Sequence, residues 1–238
     1  MRSIETSRLL LRAAVGPALC GALYTSGHAH GAAPLLASLL LAGLLLCAAR
    51  LRSPAGTFAF AAAGALFLAL GFGLIPGLTP IILGTHAINT AKALAGLTAL
   101  TFFPSRWHWN RRCSALALAC LAIVPLLAWR IGYVHWAPAA IDAITLFALA
   151  NLFSVIAEEW FFRRWIQQPL QRYGAVLSIV ASALLFGLAH FGGGPVFMAL
   201  AALAGLAYAS VFQVSNSIWA ALVLHLGLNV LRVALFGG

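Results

Sequence analysis

An all-α bundle that threads a membrane eight or nine times is the fold class this sequence predicts, on three observations. Of 238 residues, 63% are hydrophobic and only 8% charged, where a soluble domain carries roughly a quarter charged residues. The apolar residues run in stretches close to the roughly 20 residues that cross a bilayer. The charges, 14 basic against 4 acidic, fall mostly between those stretches, and the mean hydropathy is +1.00. Disordered, collagen-like and disulfide-scaffold classes are excluded by the same figures. The length leaves room for one domain or two small ones.

Segment 1–12 is polar and basic and lacks the short apolar core and cleavage site of a signal peptide. Apolar candidates then lie near 13–27, 33–49, 55–76, 80–103, 113–129, 138–168, 173–190, 195–213 and 217–236. The first is short and ends in Ser26-Gly27-His28, so it reads either as a span or as a re-entrant or interfacial piece. The connections are too short for a soluble domain, which places any chemistry within the membrane or at its face.

The net charge of +10 would suggest nucleic acid in a soluble protein. Here the basic residues sit in short connections, so a positive-inside bias and contact with anionic lipid headgroups explain them, and no nucleic-acid partner is expected. Arg2, Arg8, Arg12, Arg50, Arg52, Arg106, Arg111, Arg112, Arg163, Arg164 and Arg172 fall on one side of the predicted topology, and the other side has little beyond Arg130. That asymmetry predicts a cytoplasmic N-terminus. Trp107, Trp109, Trp136 and Trp165 lie near the proposed interfaces, where amphipathic aromatics concentrate. Cys20, Cys47, Cys113 and Cys120 sit in apolar stretches without CxxC spacing and read as packing residues, not disulfides or metal ligands.

A charge at mid-bilayer costs at least a few kcal/mol and asks for a reason. Two of the three glutamates are adjacent, Glu158-Glu159, in the segment Ala157-Glu158-Glu159-Trp160-Phe161-Phe162-Arg163-Arg164. Glu159 and Arg163 have the helical spacing of an ion pair, whereas Glu158 points about 100° away. One carboxylate is then free for structure and the other for a cavity. A second motif, Phe186-Gly187-Leu188-Ala189-His190, runs into the break Gly192-Gly193-Gly194-Pro195, and a third, His225-Leu226-Gly227-Leu228-Asn229, puts two hydrogen-bonding groups one turn apart.

A turn near Pro169–Gly174 leaves Glu158 about 20 Å of helix before it and His190 about 27 Å after it. An antiparallel pair brings both to similar depth, and His225 sits mid-span in the last helix. Taken singly, each piece has a plain structural reading: a carbonyl-bonded histidine, an ion-pair clamp, a packed Phe186. His28, His30, His86, His108 and His135 are assigned no role, and Lys92 either snorkels or pairs with a carboxylate. The strip Ala201, Gly205, Ala209 reads as close helix packing.

The ordered combination EExxxR, FxxxH and HxxxN resembles the CPBP family, the CAAX protease and bacteriocin-processing (Abi-type) group of intramembrane glutamic-type endopeptidases. The resemblance covers about residues 138–236, including Ser215-Asn216-Ser217 ahead of the third motif. Members follow the first-motif arginine with glycine, where this chain has Arg164. The resemblance implies a division into N-terminal transmembrane helices of unassigned role (1–137) and a CPBP-like catalytic core (138–238). It also implies Glu158 as general base, His190 as its partner in holding a water, and His225 with Asn229 as an oxyanion hole. Glu159, Arg163 and Phe186 support the site. A membrane-bound or lipid-modified peptide is the implied substrate, and the bacterial inner membrane the implied location. No metal or other cofactor is expected. The alternatives are a zinc-dependent version of the same protease, a non-enzymatic immunity or scaffold protein, and a transporter relaying ions through Glu158 and Lys92, for which no inverted repeat speaks.

Overall fold

The computed structural model describes residues 2–51 and 53–237, with side chains over 7–51 and 53–237. The side chain of Arg2 and all of Arg52, both counted in the charge asymmetry, lie outside the described residues. The chain is almost wholly helical, as its apolar runs require in a solvent that cannot satisfy exposed backbone. Six of its helices, among the described residues, are long and apolar enough to cross a membrane: Ala33–Arg50, Pro54–Gly71, Arg111–Arg130, Ile141–Tyr173, Phe191–Ser215 and Ile218–Phe236. Large apolar side chains such as Phe58, Leu118 and Val176 are at least 70% exposed, the surface a hydrocarbon environment accepts.

The expected eight or nine spans are thus not confirmed, for identifiable reasons. The predicted fourth span, 80–103, is interrupted by a hairpin and continues only as a 13-residue helix, about 20 Å long against a hydrocarbon core of about 30 Å. The predicted seventh span contains a helix of 14 residues, Ala175–Leu188. The predicted short first candidate is instead part of a 24-residue helix beginning at Arg2, whose polar opening turns keep it outside the six.

The chain forms two compact units. One comprises Met1–Pro104 with Ile156–Glu158. It contains α1 (Arg2–Thr25), α2 (Ala33–Arg50), α3 (Pro54–Gly71), the strands β1 (Ile81–Leu83) and β2 (His86–Ile88), and α4 (Thr90–Phe102). The strands pair antiparallel through the two-residue turn Gly84-Thr85, with Leu83 opposite His86. Gly84 has φ +59°, which the mirror-image turns of tight hairpins demand. Leading into the hairpin, the His30 N–H donates to the Gly77 carbonyl (2.7 Å) and the Thr79 N–H to the His28 carbonyl (3.0 Å).

The second unit comprises Ser105–Val155 and Glu159–Gly238. It holds α5 (Arg111–Arg130), α6 (Ile141–Glu159, apart from its residues 156–158), the single turn α7 (Gln168–Leu170), α8 (Ala175–Leu188), α9 (Gly194–Ser215) and α10 (Ile218–Phe236). Between α6 and α7 the backbone runs as a π-helix over Trp160–Gln167, a widened form that occurs chiefly as short insertions in α-helices and often at functional sites. The small-residue strip of α9 is packed as predicted: a Cβ at Gly205 would meet Ala183 Cα and the Phe186 ring at 3.2–3.3 Å. From the facing side, a Cβ at Gly187 would lie 2.7 Å from the Met198 carbonyl and from Ala202 Cβ. The four cysteines are free, three of them buried.

Candidate active site

The turn that delivers α10 is built from Ser215, Asn216 and Ser217. Asn216 adopts the left-handed conformation (φ +50°, ψ +30°), which asparagine tolerates better than most non-glycine residues. Ser215 Oγ accepts from the Ser217 N–H (3.1 Å), and Ser217 Oγ caps the helix by accepting from the Ala220 N–H (3.3 Å). Two turns further on, His225 points inward and is buried.

His225 Nδ1 donates to Glu159 Oε1 at 2.8 Å, and Arg163 Nε donates to Glu159 Oε2 at 2.9 Å. The glutamate and arginine are both fully buried (0% exposed). Arg163 Nη1 also donates to Gln167 Oε1 (3.1 Å) and Ser182 Oγ (3.0 Å). In turn Gln167 Nε2 donates to the Ala209 carbonyl (2.9 Å) and Ser182 Oγ to that of Phe162 (3.0 Å). A buried ion pair is costly unless further hydrogen bonds satisfy its remaining groups; α8, α9 and α10 contribute such bonds to the network, while the buried Arg163 Nη2 makes none among the described residues. The predicted Glu159–Arg163 pair is thus present, and it anchors the histidine of the third motif as well.

Phe186 collects the aromatic rings. Its centroid lies 4.6 Å from His190, 5.4 Å from His225 and 5.8 Å from Tyr208. Tyr208 stacks on the His225 ring at 4.5 Å and 17°. The second and third motifs therefore converge on one side chain. His190 follows the last turn of α8 and opens the short 3-10 turn Phe191–Gly193. Its Nδ1 lies 2.7 Å from the Phe186 carbonyl. A carbonyl only accepts, so Nδ1 carries the proton and Nε2 of the neutral ring is an acceptor.

Asn229, one turn beyond His225, donates from Nδ2 to Asn151 Oδ1 at 2.9 Å. An amide nitrogen has two donors, so the tether fixes the group and leaves a second N–H. Glu158 belongs to the other unit, where its Oε1 meets Lys92 Nζ at 2.5 Å. That settles the open question about Lys92: it pairs with a carboxylate.

Four contributors were absent from the sequence reading: Asn151, Gln167, Ser182 and Tyr208. Two had a signal. Asn151 lies seven residues before Glu158 in an otherwise apolar helix, and Gln167 lies four after Arg163, the spacing that had already paired Glu159 with Arg163. Ser182 and Tyr208 sit in apolar helices with nothing local to distinguish them. Arg164, which stands where the resembling family has glycine, donates from Nη1 to Gln168 Oε1 (2.8 Å).

Among the described residues no three His, Cys, Asp or Glu side chains group as metal ligands. His225 Nδ1 and both Glu159 oxygens are engaged with one another and with Arg163, a donor set arranged for charge-assisted hydrogen bonds.

In the C-terminal unit an acid, an arginine and two histidines thus gather around one aromatic cluster. Comparison with known families makes this specific: residues 140–231 match the Rce1-like family, type II CAAX prenyl endopeptidase Rce1-like. The match spans 92 of the 238 residues, and over that segment the chain is similar to CAAX proteases, which are hydrolases. Searches among curated proteins and among solved structures found no significant match.

Proposed function

We propose that the protein is an intramembrane endopeptidase acting on a membrane-associated or lipid-modified peptide, by a metal-free mechanism. The observation that carries this reading is the convergence of His190 and His225 on Phe186, with His225 fixed by the buried Glu159–Arg163 pair. Glu158 takes a proton from water, and the hydroxide attacks the scissile carbonyl carbon. His190, with Nδ1–H held by the Phe186 carbonyl, accepts a hydrogen bond from that water at Nε2. The negative charge moves to the carbonyl oxygen, where the protonated His225 (through Nε2–H) and the second Asn229 N–H stabilise it. Collapse breaks the C–N bond, and the proton on Glu158 passes to the leaving amine. A positioned general base contributes typically about 10²–10⁴-fold and an oxyanion donor about 10²–10³-fold.

The enzyme acts in the bacterial inner membrane with its N-terminus in the cytoplasm, by the charge asymmetry of its connections. Glu158→Ala, His190→Ala and His225→Ala are each expected to abolish cleavage while insertion is retained. Peptides released from membranes of cells carrying wild type or Glu158→Ala, compared by mass spectrometry, identify the substrate. Full activity of these variants would overturn the reading. Activity is expected to survive exhaustive chelation; loss restored only by zinc would replace the mechanism with the metal-dependent one.

A further inference from the structure

Lys92 lies outside the segment that matches the protease family, yet it contacts the glutamate on which the proposed chemistry depends. Three local features aim it there. Asn89 caps α4, its Oδ1 accepting from the Lys92 backbone N–H at 2.9 Å. Thr90 Oγ1 donates to the Thr79 carbonyl (2.9 Å), pinning the same first turn to the segment that leads into the hairpin. One turn along, Gly96 has no side chain where α4 passes Ala157: a Cβ there would sit 2.9 Å from Ala157 Cα and 3.0 Å from its backbone nitrogen. Backbone-to-backbone approach at Gly96 and Ala157 brings the next residue, Glu158, within reach of the lysine stem. The result is the 2.5 Å contact between Nζ and Oε1, with the two side chains 26% and 17% exposed.

We infer that Lys92 is a positioning residue for Glu158, an inference that rests on the proposed role of Glu158 as base. A carboxylate in a low-dielectric setting needs an opposite charge to stay ionised, and only the ionised form accepts a proton from water. Lysine suits this task because an ammonium is a compact point charge, and a carboxylate has about four lone-pair sites. The cation therefore fixes the orientation of the base without consuming its acceptor capacity. Lys92, from a helix outside the segment that matches the protease family, thus supplies a working part of the proposed reaction.

Two readouts test this on the full-length protein in membranes. A membrane-permeant carbodiimide, followed by peptide mass spectrometry, is expected to join Lys92 to Glu158 in wild type and not in Lys92→Met; absence of the cross-link in wild type would overturn the inference independently of any activity. In cleavage assays, Lys92→Met is expected to lower kcat about 10²-fold, the scale of a displaced catalytic group, with KM within about twofold. Lys92→Arg, which keeps the charge, is expected to restore kcat to within about fivefold of wild type. Lys92→Gln serves where Lys92→Met fails to insert, with the same loss expected. Wild-type kcat in the neutral variants, or a change confined to KM, would overturn the positioning role and leave the protease reading standing. Wild-type activity in Glu158→Gln would instead sink the protease reading, and the inference with it.

Discussion

Adjacent in the chain, Glu158 and Glu159 show how differently the two units hold a carboxylate. Glu159, in the C-terminal unit, is fully buried and shared between Arg163 and His225, with Gln167 and Ser182 accepting from the arginine's Nη1. Glu158, in the N-terminal unit, is partly exposed and meets a flexible lysine. The first arrangement is rigid and shielded, and breaking one member leaves another charge stranded. The second leaves the carboxylate partly accessible. A step of about 100° around one helix is enough to set one acid in a buried network and its neighbour beside a partly exposed lysine.

Exchanging the two losses is the strongest way to break that comparison. Glu159→Ala strips a buried arginine and a buried imidazole of their shared acceptor, a change expected to cost about 3–5 kcal/mol. Thermal unfolding in detergent would register it as a large fall in Tm or as failure to accumulate. Glu158→Gln is expected to leave Tm nearly unchanged while kcat falls about 10²–10⁴-fold. A stable Glu159→Ala protein, or an unstable Glu158→Gln one, would reverse the assignment.

Smaller effects sharpen it. Gly187→Val places a branched side chain against the Met198 carbonyl and Ala202, and overpacking of this kind costs about 1–3 kcal/mol. The same unfolding assay should detect it as a lower Tm. Gly193→Val should act on chemistry more than on stability, because a Cβ there runs into the Phe197 ring, which packs edge-on to His190 at 5.4 Å. Its specific activity should fall while expression holds; unchanged specific activity would detach this glycine from the site. Least disruptive is Tyr208→Leu, which removes the ring stacked on His225, worth about 0.5–1.5 kcal/mol. A modest drop in kcat with Tm lowered by a few degrees is expected.

Much of the site was readable because its spacing is local. Glu159 and Arg163 pair one turn apart, His190 bonds to the carbonyl of Phe186 one turn before it, and Asn216 with Ser217 forms the turn that starts the last helix. Helical geometry makes those relations visible in any chain. Span count was less readable, because apolar composition alone does not show where the backbone turns. Residues 80–103 look continuous until Gly84 takes φ +59° and the chain doubles back. The π-helical stretch at Trp160–Gln167 likewise has no compositional mark.

By itself the sequence determined that this protein lives in a membrane, that it is helical, and which few ionisable residues stand in its apolar spans, since each follows from composition and a fixed helical period. Tertiary structure alone decided that Lys92 meets Glu158, 66 positions further along the chain, that Tyr208 stacks on His225, and that Asn151 holds Asn229. Contacts between distant segments depend on how closely backbones approach, and that is set at places such as Gly96 and Gly205 where a missing side chain matters only once a neighbour is known.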